Sequence, residues 1–228
     1  MRSAVVPAQS EAQNAMPLVD RIAREIKNSI VAGDLRPGEQ FSIGDVASQL
    51  AVSHIPVREA LRRLEADGLI ELRPGRSAIV TRLNLGEVEE LYRLRLLIEV
   101  DLAGRSAPSY SDEQLAIMAS ACERLHGSDS APGMCDPDAH HLLHQVLLRP
   151  AAGPHSLRTM QRLMDVTDRY IGLVYDARPL DREEPYRRHR ILVEAAESRS
   201  GPAITKALTA HLKESLGYLK TWLPPDVI

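Results

Sequence analysis

The stretch AVSHIPVREALRRLEADGLI, residues 51–70, decides the fold. Val57, Ala60, Leu61 and Leu64 recur at the i, i+3, i+4, i+7 spacing of a helix with one buried stripe. Ser53 is a residue type that caps helix N-termini, and Pro56 falls in the first turn, where a missing N–H leaves nothing unsatisfied. Gly68 stops the helix. With the apolar stripe turned inward, His54, Arg58 and Arg62 share the outer face at i, i+4 and i+8. Arg63 stands beside them, four residues after Glu59, where an ion pair along the helix accounts for it.

The surroundings give this helix a context. Leu18, Val19, Ile22, Ala23, Ile26 and Ile30 recur at helical spacing, and Gly33 ends that segment. DLRPGEQF, residues 34–41, reads as a turn into a short extended piece. A second short helix covers Ile43 to Leu50, with Val46, Ala47 and Leu50 inward. Downstream, LIELRP and SAIVTRL read as two short strands with Pro74, Gly75 and Arg76 at the bend. Two short helices joined by a tight turn and followed by a hairpin predict a winged helix-turn-helix over residues 17–82.

Such a helix fits the DNA major groove, where its N-terminal side chains reach base edges. Arg58 and Arg62 suit that role, because a guanidinium can bond guanine O6 and N7 together or clamp a phosphate. His54 fits either a base contact or an exposed first-turn position. Ser53 and the first amides of the helix can meet phosphate. Arg73 and Arg76 flank the wing tip, within reach of a neighbouring backbone or minor groove. The whole chain has a net charge of −3, so any nucleic-acid site must be local. Residues 17–82 carry a slight basic excess and residues 83–228 an acidic one.

After residue 83 the pattern becomes wholly helical. Asn84 with Glu87, and Ser111 with Gln114, resemble capping boxes that open helices running to about 106 and 126. GSDSAPGMCDPD, residues 127–138, is a loop. Helices follow over 138–149, 156–176, 183–198 and 203–222, with Pro202 suited to the first turn of the last. Apolar residues make up 44% of the chain but aromatics only 4%, which favours packed helices over a sandwich of strands. The predicted fold is therefore mainly α: a winged helix-turn-helix followed by an all-helical bundle over 83–228. Residues 1–16 read as a loose arm without a secretion signal. No apolar run is long enough to span a membrane, and Cys122 and Cys135 follow no metal or redox spacing. A cytoplasmic protein is expected.

IKNSIVAGDLRPGEQF, DVASQLAVSHIPVREALRRLEADGLIELRPGRSAIV and the spacing between them closely resemble the DNA-binding domain of the GntR family of bacterial transcription regulators. The family usually has Arg where this chain has His54, Glu where it has Ile43 and Gly where it has Ser77. The first departure implies an altered operator. Residues 84–223 resemble the helical effector-binding domain, called FCD, of the FadR-like branch. LYRLRLLIEVDLAG, HHLLHQVLLRPAAGPHSL, HRILVEAAESR and KALTAHL carry that likeness.

His140 and His144 lie four apart on one predicted helix, so both rings can face one point, a sound half-site for a divalent metal. His189 and His211 lie on two later helices among apolar positions. Helices packed around a common centre can bring all four imidazoles together. The resemblance implies an Asp-x-x-x-His pair plus two further His around a metal. His144, His189 and His211 match its histidines, and His140 stands where the family commonly has Asp. Asp136 and His141 are the fallback ligands. An all-nitrogen set suits Zn, Ni, Co or Fe better than Mg or Ca. Arg95 and Glu99 match a family pair. Arg95 can hold an effector carboxylate or make a structural ion pair, and Glu99 reads as the structural partner.

The expected function is a regulator, a repressor by the family's commoner mode. It would bind a pseudo-palindromic double-stranded operator as a homodimer and respond to a small metabolite, such as a carboxylate held through the metal. The rivals are a metal-dependent hydrolase and a constitutive DNA-binding protein whose helical half only dimerises. No HExxH-like Glu stands beside the histidines and no Ser or Cys nucleophile motif occurs, so an enzyme is not expected.

Overall fold

The computed structural model describes residues 16–75, 77–82, 84–126, 137–177 and 183–223. Contacts divide it into two compact units. The first holds the described residues up to Asn84 together with Arg169–Leu173, and the second holds Leu85–Asp168 and Val174–Leu223.

In the first unit, α1 (Leu18–Val31) packs on α3 (His54–Ala66), and α2 (Ile43–Gln49) lies against α3. Three short strands follow the chain order β1 (Gln40–Ser42), β2 (Ile70–Arg73) and β3 (Ser77–Val80). The expected hairpin is present, with Ile70 opposite Val80 and Arg73 opposite Ser77. The extended piece after the first turn joins it as a third antiparallel strand, with Phe41 opposite Ala78 and β3 in the centre. Phe41, Ala78 and Val80 are buried, so the sheet closes the core that Ile22, Ile26, Val57, Leu61 and Leu64 build from the helices.

The turn between α2 and α3 is tight. Ala51 takes φ 53°, a left-handed conformation that costs an L-residue about 1–2 kcal/mol. Val52 N–H then returns to Ala47 O at 3.0 Å and secures the turn. Helix α2 starts where Ser42 Oγ accepts from Asp45 N–H at 2.9 Å. Ser53 holds the N-cap position of α3 in extended backbone, but its hydroxyl makes no capping bond. The sequence reading of Ser53 as a capping residue is right in position and wrong in bonding, which leaves the exposed hydroxyl available for another partner. At the other end of α3, Gly68 takes φ +79° and donates to Glu65 O at 2.9 Å, while Leu69 N–H reaches Leu64 O at 2.9 Å. This left-handed cap satisfies the last carbonyls and turns the chain into β2.

The second unit is built from α4 (Leu85–Ser106), a short 3₁₀ turn (Ala107–Ser109), α5 (Asp112–His126), α6 (Pro137–Leu148), α7 (Pro154–Ala177), α8 (Glu183–Glu197) and α9 (Gly201–Trp222). Among its described residues there is no strand. Helix α4 packs on α9 and α6, α5 on α6 and α8, and α8 on α9. Ser111 and Gln114 form the reciprocal box expected of them: Gln114 N–H donates to Ser111 Oγ at 3.2 Å, and Ser111 N–H donates to Gln114 Oε1 at 3.0 Å. Helices α6, α7 and α9 begin one or two residues earlier than their apolar periodicity suggests. Each carries a proline in its first turn, at Pro137, Pro154 and Pro202, where the fixed φ favours helix.

Helices α4 and α9 cross closely. A Cβ added at Gly201 would stand 2.8 Å from Gly104 O, so the contact requires a residue without a side chain. That close approach draws α9, and with it His211, against α4. No helix among the described residues is long and apolar enough to cross a membrane.

Candidate nucleic-acid interface and metal centre

The outer face of α3 is arranged as its spacing predicts. Ser53, His54, Arg58 and Arg62 are all exposed, while Val57, Ala60, Leu61 and Leu64 are buried. Arg63 is held aside by an ion pair with Asp20 of α1 and lies 4.0 Å from Glu59 Oε1. Arg73 Nη2 lies 2.7 Å from Glu71 Oε2, an exposed pair that salt and competing phosphates can open. Arg76 lies outside the described residues. Ile55 is 80% exposed on the first turn of α3, and periodicity gave no reason to single it out. A large apolar side chain at the end of α3 that would read bases suits contact with a thymine methyl.

In the second unit α6 supplies His140 and His144, α8 supplies His189 and α9 supplies His211. All four side chains are buried. One ring nitrogen from each falls within 4.8 Å of all the others. Ring centroids are 4.7 Å apart for His140 and His144, 5.2 Å for His140 and His189, 5.4 Å for His144 and His211, and 4.6 Å for His189 and His211. The i, i+4 pair, the crossing of α8 on α9 and the approach of α9 to α4 together close this cluster.

Its electrostatics suit metal ligation. Burial pushes His140 and His211 well below the usual imidazole range, and the neighbouring histidines and Arg95 push the same way. Neutral imidazole is the form that ligates. His144 Nδ1 lies 2.9 Å from Glu99 Oε2, and Glu99 Oε1 lies 2.5 Å from Arg95 Nε. Burial alone would raise the Glu99 carboxyl, but the charge of Arg95 and the bond to His144 overcome it and hold the group at about 2. An ionised Glu99 can only accept, so His144 carries its proton on Nδ1 and leaves Nε2 as a lone pair. That Nε2 and His211 Nδ1 are both buried with no hydrogen-bond partner. A buried polar atom left so costs about 1–3 kcal/mol, unless a group such as a metal ion meets it. The four histidines therefore fit a divalent transition metal.

A second group shares one member of the first. His140, His141 and Asp168 of α7 also bring ligand atoms within 4.8 Å of one another. His141 Nε2 lies 2.5 Å from Asp168 Oδ2, and His140 Nδ1 lies 3.7 Å from Asp168 Oδ1. Asp168 was not singled out in the sequence. Asp136 lies outside the described residues. Arg95 is buried in its pair with Glu99, so the ion pair, one of the two roles open to it from the sequence, is present.

Residues 18–80 match the model of bacterial regulatory proteins of the gntR family, and residues 90–214 match the FCD domain. The chain is 28% identical over 212 residues to the HTH-type transcriptional repressor RspR of Escherichia coli K12, covering 90% of each chain. It is 25% identical over 217 residues to the gluconate operon transcriptional repressor of Bacillus licheniformis, covering 91% of this chain and 88% of that one. The solved E. coli McbR/YncC shares the fold, with a TM-score of 0.81 at 19% identity over 92% of this chain and all of that one. The families and relatives matched are transcription regulators rather than enzymes. With its winged helix-turn-helix and its FCD bundle, this chain belongs to the GntR family of bacterial transcription regulators.

Proposed function

We propose that this regulator is a metabolite-responsive repressor whose helical half senses its effector at a metal held by His140, His144, His189 and His211. The observation that carries the reading is the convergence of four buried imidazoles, two of which leave a ring nitrogen without a partner. A divalent transition metal bound there supplies a Lewis-acid anchor for an anionic effector group. Arg95 commits its Nε to Glu99 but keeps a buried Nη2 without a hydrogen-bond partner, a donor that suits a carboxylate. Repression is the mode named for both relatives quoted above, and one of them is named for the operon of a sugar acid.

Residues 17–82 carry DNA binding in this reading, with Ser53, His54, Arg58 and Arg62 in the groove and Arg73 and Arg76 on the flanking backbone. Residues 83–228 carry effector binding and self-association. A single winged helix offers few contacts, and a two-fold homodimer doubles them on a pseudo-palindromic operator. Leu94 and Leu97, exposed and one turn apart on α4, support self-association through the helical half. An effector can shift operator affinity only by preferring one of two states of the dimer.

The test is operator binding followed by fluorescence anisotropy, using genomic DNA selected by the protein. Small carboxylates are added to metal-loaded and chelator-stripped protein. The reading expects at least one acid to change operator affinity in loaded protein only. Equal operator affinity in all conditions would favour a constitutive DNA-binding protein instead.

A further inference from the structure

The sequence places two histidines side by side on α6, and the structure gives both the chance to ligate. His140 belongs to both groups of convergent ligand atoms, and His141 belongs to the one that includes Asp168. The surrounding hydrogen bonds distinguish them. Gln161 Nε2 lies 2.7 Å from Asp165 Oδ1 and 3.0 Å from His141 Nδ1, and Gln161 Oε1 accepts from Gln145. A carboxylate oxygen must be met by the amide nitrogen, so the Gln161 amide has one orientation. Its N–H then donates to His141 Nδ1, which must be a lone pair. The proton of neutral His141 is thereby on Nε2, the atom 2.5 Å from Asp168 Oδ2. Those two atoms are buried and not aligned as donor and acceptor, yet neither has another hydrogen-bond partner. The other oxygen of Asp168, Oδ1, faces His140 Nδ1 at 3.7 Å.

We propose that Gln161 and Asp168 are positioning residues that sort the two histidines by fixing their protons. Gln161 holds the His141 proton on Nε2, toward Asp168, which withholds His141 from the metal. Asp168 draws the His140 proton to Nδ1, which leaves His140 Nε2 as the ligand. Glu99 does the same for His144 from α4, through the 2.9 Å contact at Nδ1. The carboxylate that the family resemblance places in the first ligand position is thus replaced here by an imidazole backed by a carboxylate. A carboxylate behind a ligating imidazole fixes its tautomer and raises its basicity. The proposal rests on the metal-centre reading above, and its test separates the two.

The experiment uses full-length protein labelled with ¹⁵N-histidine, stripped of metal and then titrated with zinc. Long-range proton–nitrogen spectra of the metal-free protein report which ring nitrogen carries each proton. Wild type is expected to show His140 protonated at Nδ1 and His141 at Nε2. Asp168→Asn is expected to mix the His140 tautomers, to leave His141 protonated at Nε2 through Gln161, and to weaken zinc binding about 10- to 100-fold. His141→Gln should keep zinc affinity within a few-fold, and His140→Gln should lose it. Opposite tautomers in the metal-free wild type would overturn the role of Asp168 whatever zinc does. So would unchanged tautomers and zinc affinity in Asp168→Asn, or zinc loss in His141→Gln but not in His140→Gln. Correct tautomers with no zinc uptake by wild type would instead overturn the metal centre, and ligand selection with it.

Discussion

Glu99 bonds to two partners at once: Arg95 Nε stands 2.5 Å from its Oε1, and His144 Nδ1 stands 2.9 Å from its Oε2. One buried carboxylate therefore neutralises the cation of α4 and orients an imidazole of α6. Removing it does two separate kinds of damage. Glu99→Ala leaves Arg95 charged and buried alone, a change that costs about 3–5 kcal/mol of folding stability. Urea unfolding of metal-free protein should show that loss. Glu99→Gln keeps the shape but can present an amide N–H to His144, and zinc affinity should fall about 10- to 100-fold. Equal zinc affinity in Glu99→Gln would detach Glu99 from the centre.

The same groups set a pH dependence. His140 and His211 titrate well below the ordinary imidazole value in the folded protein, chiefly through burial. The unfolded chain therefore binds protons first as pH falls below about 6.5, and metal-free protein should lose stability from that point downward. A second loss follows lower down, because Glu99 is held at about 2 in the fold against an ordinary value of 4.5. Its contribution is complete above that ordinary value and disappears as pH falls toward 2. Melting temperatures measured from pH 8 to pH 3 should decline in both windows. A flat profile between pH 7 and pH 5 would contradict the buried neutral histidines.

At the DNA face, Arg58→Ala should cost about 1–3 kcal/mol of operator affinity and relax preference at one base position. Arg73→Ala should weaken binding evenly across sequences and reduce its salt dependence by about one ion. Its partner Glu71 gives a control: Glu71→Gln should strengthen binding slightly at low salt by freeing Arg73. Competition between operator and random DNA at several salt concentrations checks all three.

Much of this architecture was legible in the sequence. Local rules govern the α3 stripe, the Gly68 stop, the Ser111 box and the i, i+4 pairs His140/His144 and Arg95/Glu99, and each is found as spacing demands. The first strand was legible only as an extended piece, because its pairing with β3 is 37 residues away in sequence. Ser53 has the right residue type and place for a cap, yet its hydroxyl makes no bond to the helix amides. The links of Glu99 to His144 and of Asp168 to His140 and His141 were not legible. They depend on how α4 and α7 lie against α6, and no spacing rule reports that register.

The α4–α9 crossing should be intolerant of a single methyl. Gly201→Ala sets a Cβ 2.8 Å from a backbone oxygen, which cannot rotate away, so the helices must part. A loss of roughly 1–3 kcal/mol is expected, as for overpacking elsewhere in cores. Gly104→Ala meets Thr205 Oγ1, a side-chain atom that can move, and should cost less. Thermal melts of the two variants should rank in that order.

Metal analysis of chelator-stripped protein re-equilibrated with zinc at neutral pH tests the central claim most directly, with a quadruple variant carrying Gln at His140, His144, His189 and His211 as the control. The account expects one zinc retained per wild-type chain, none in the variant, and a melting temperature that rises with zinc only in wild type. No zinc on the wild-type chain, or the same amount on both, would contradict it.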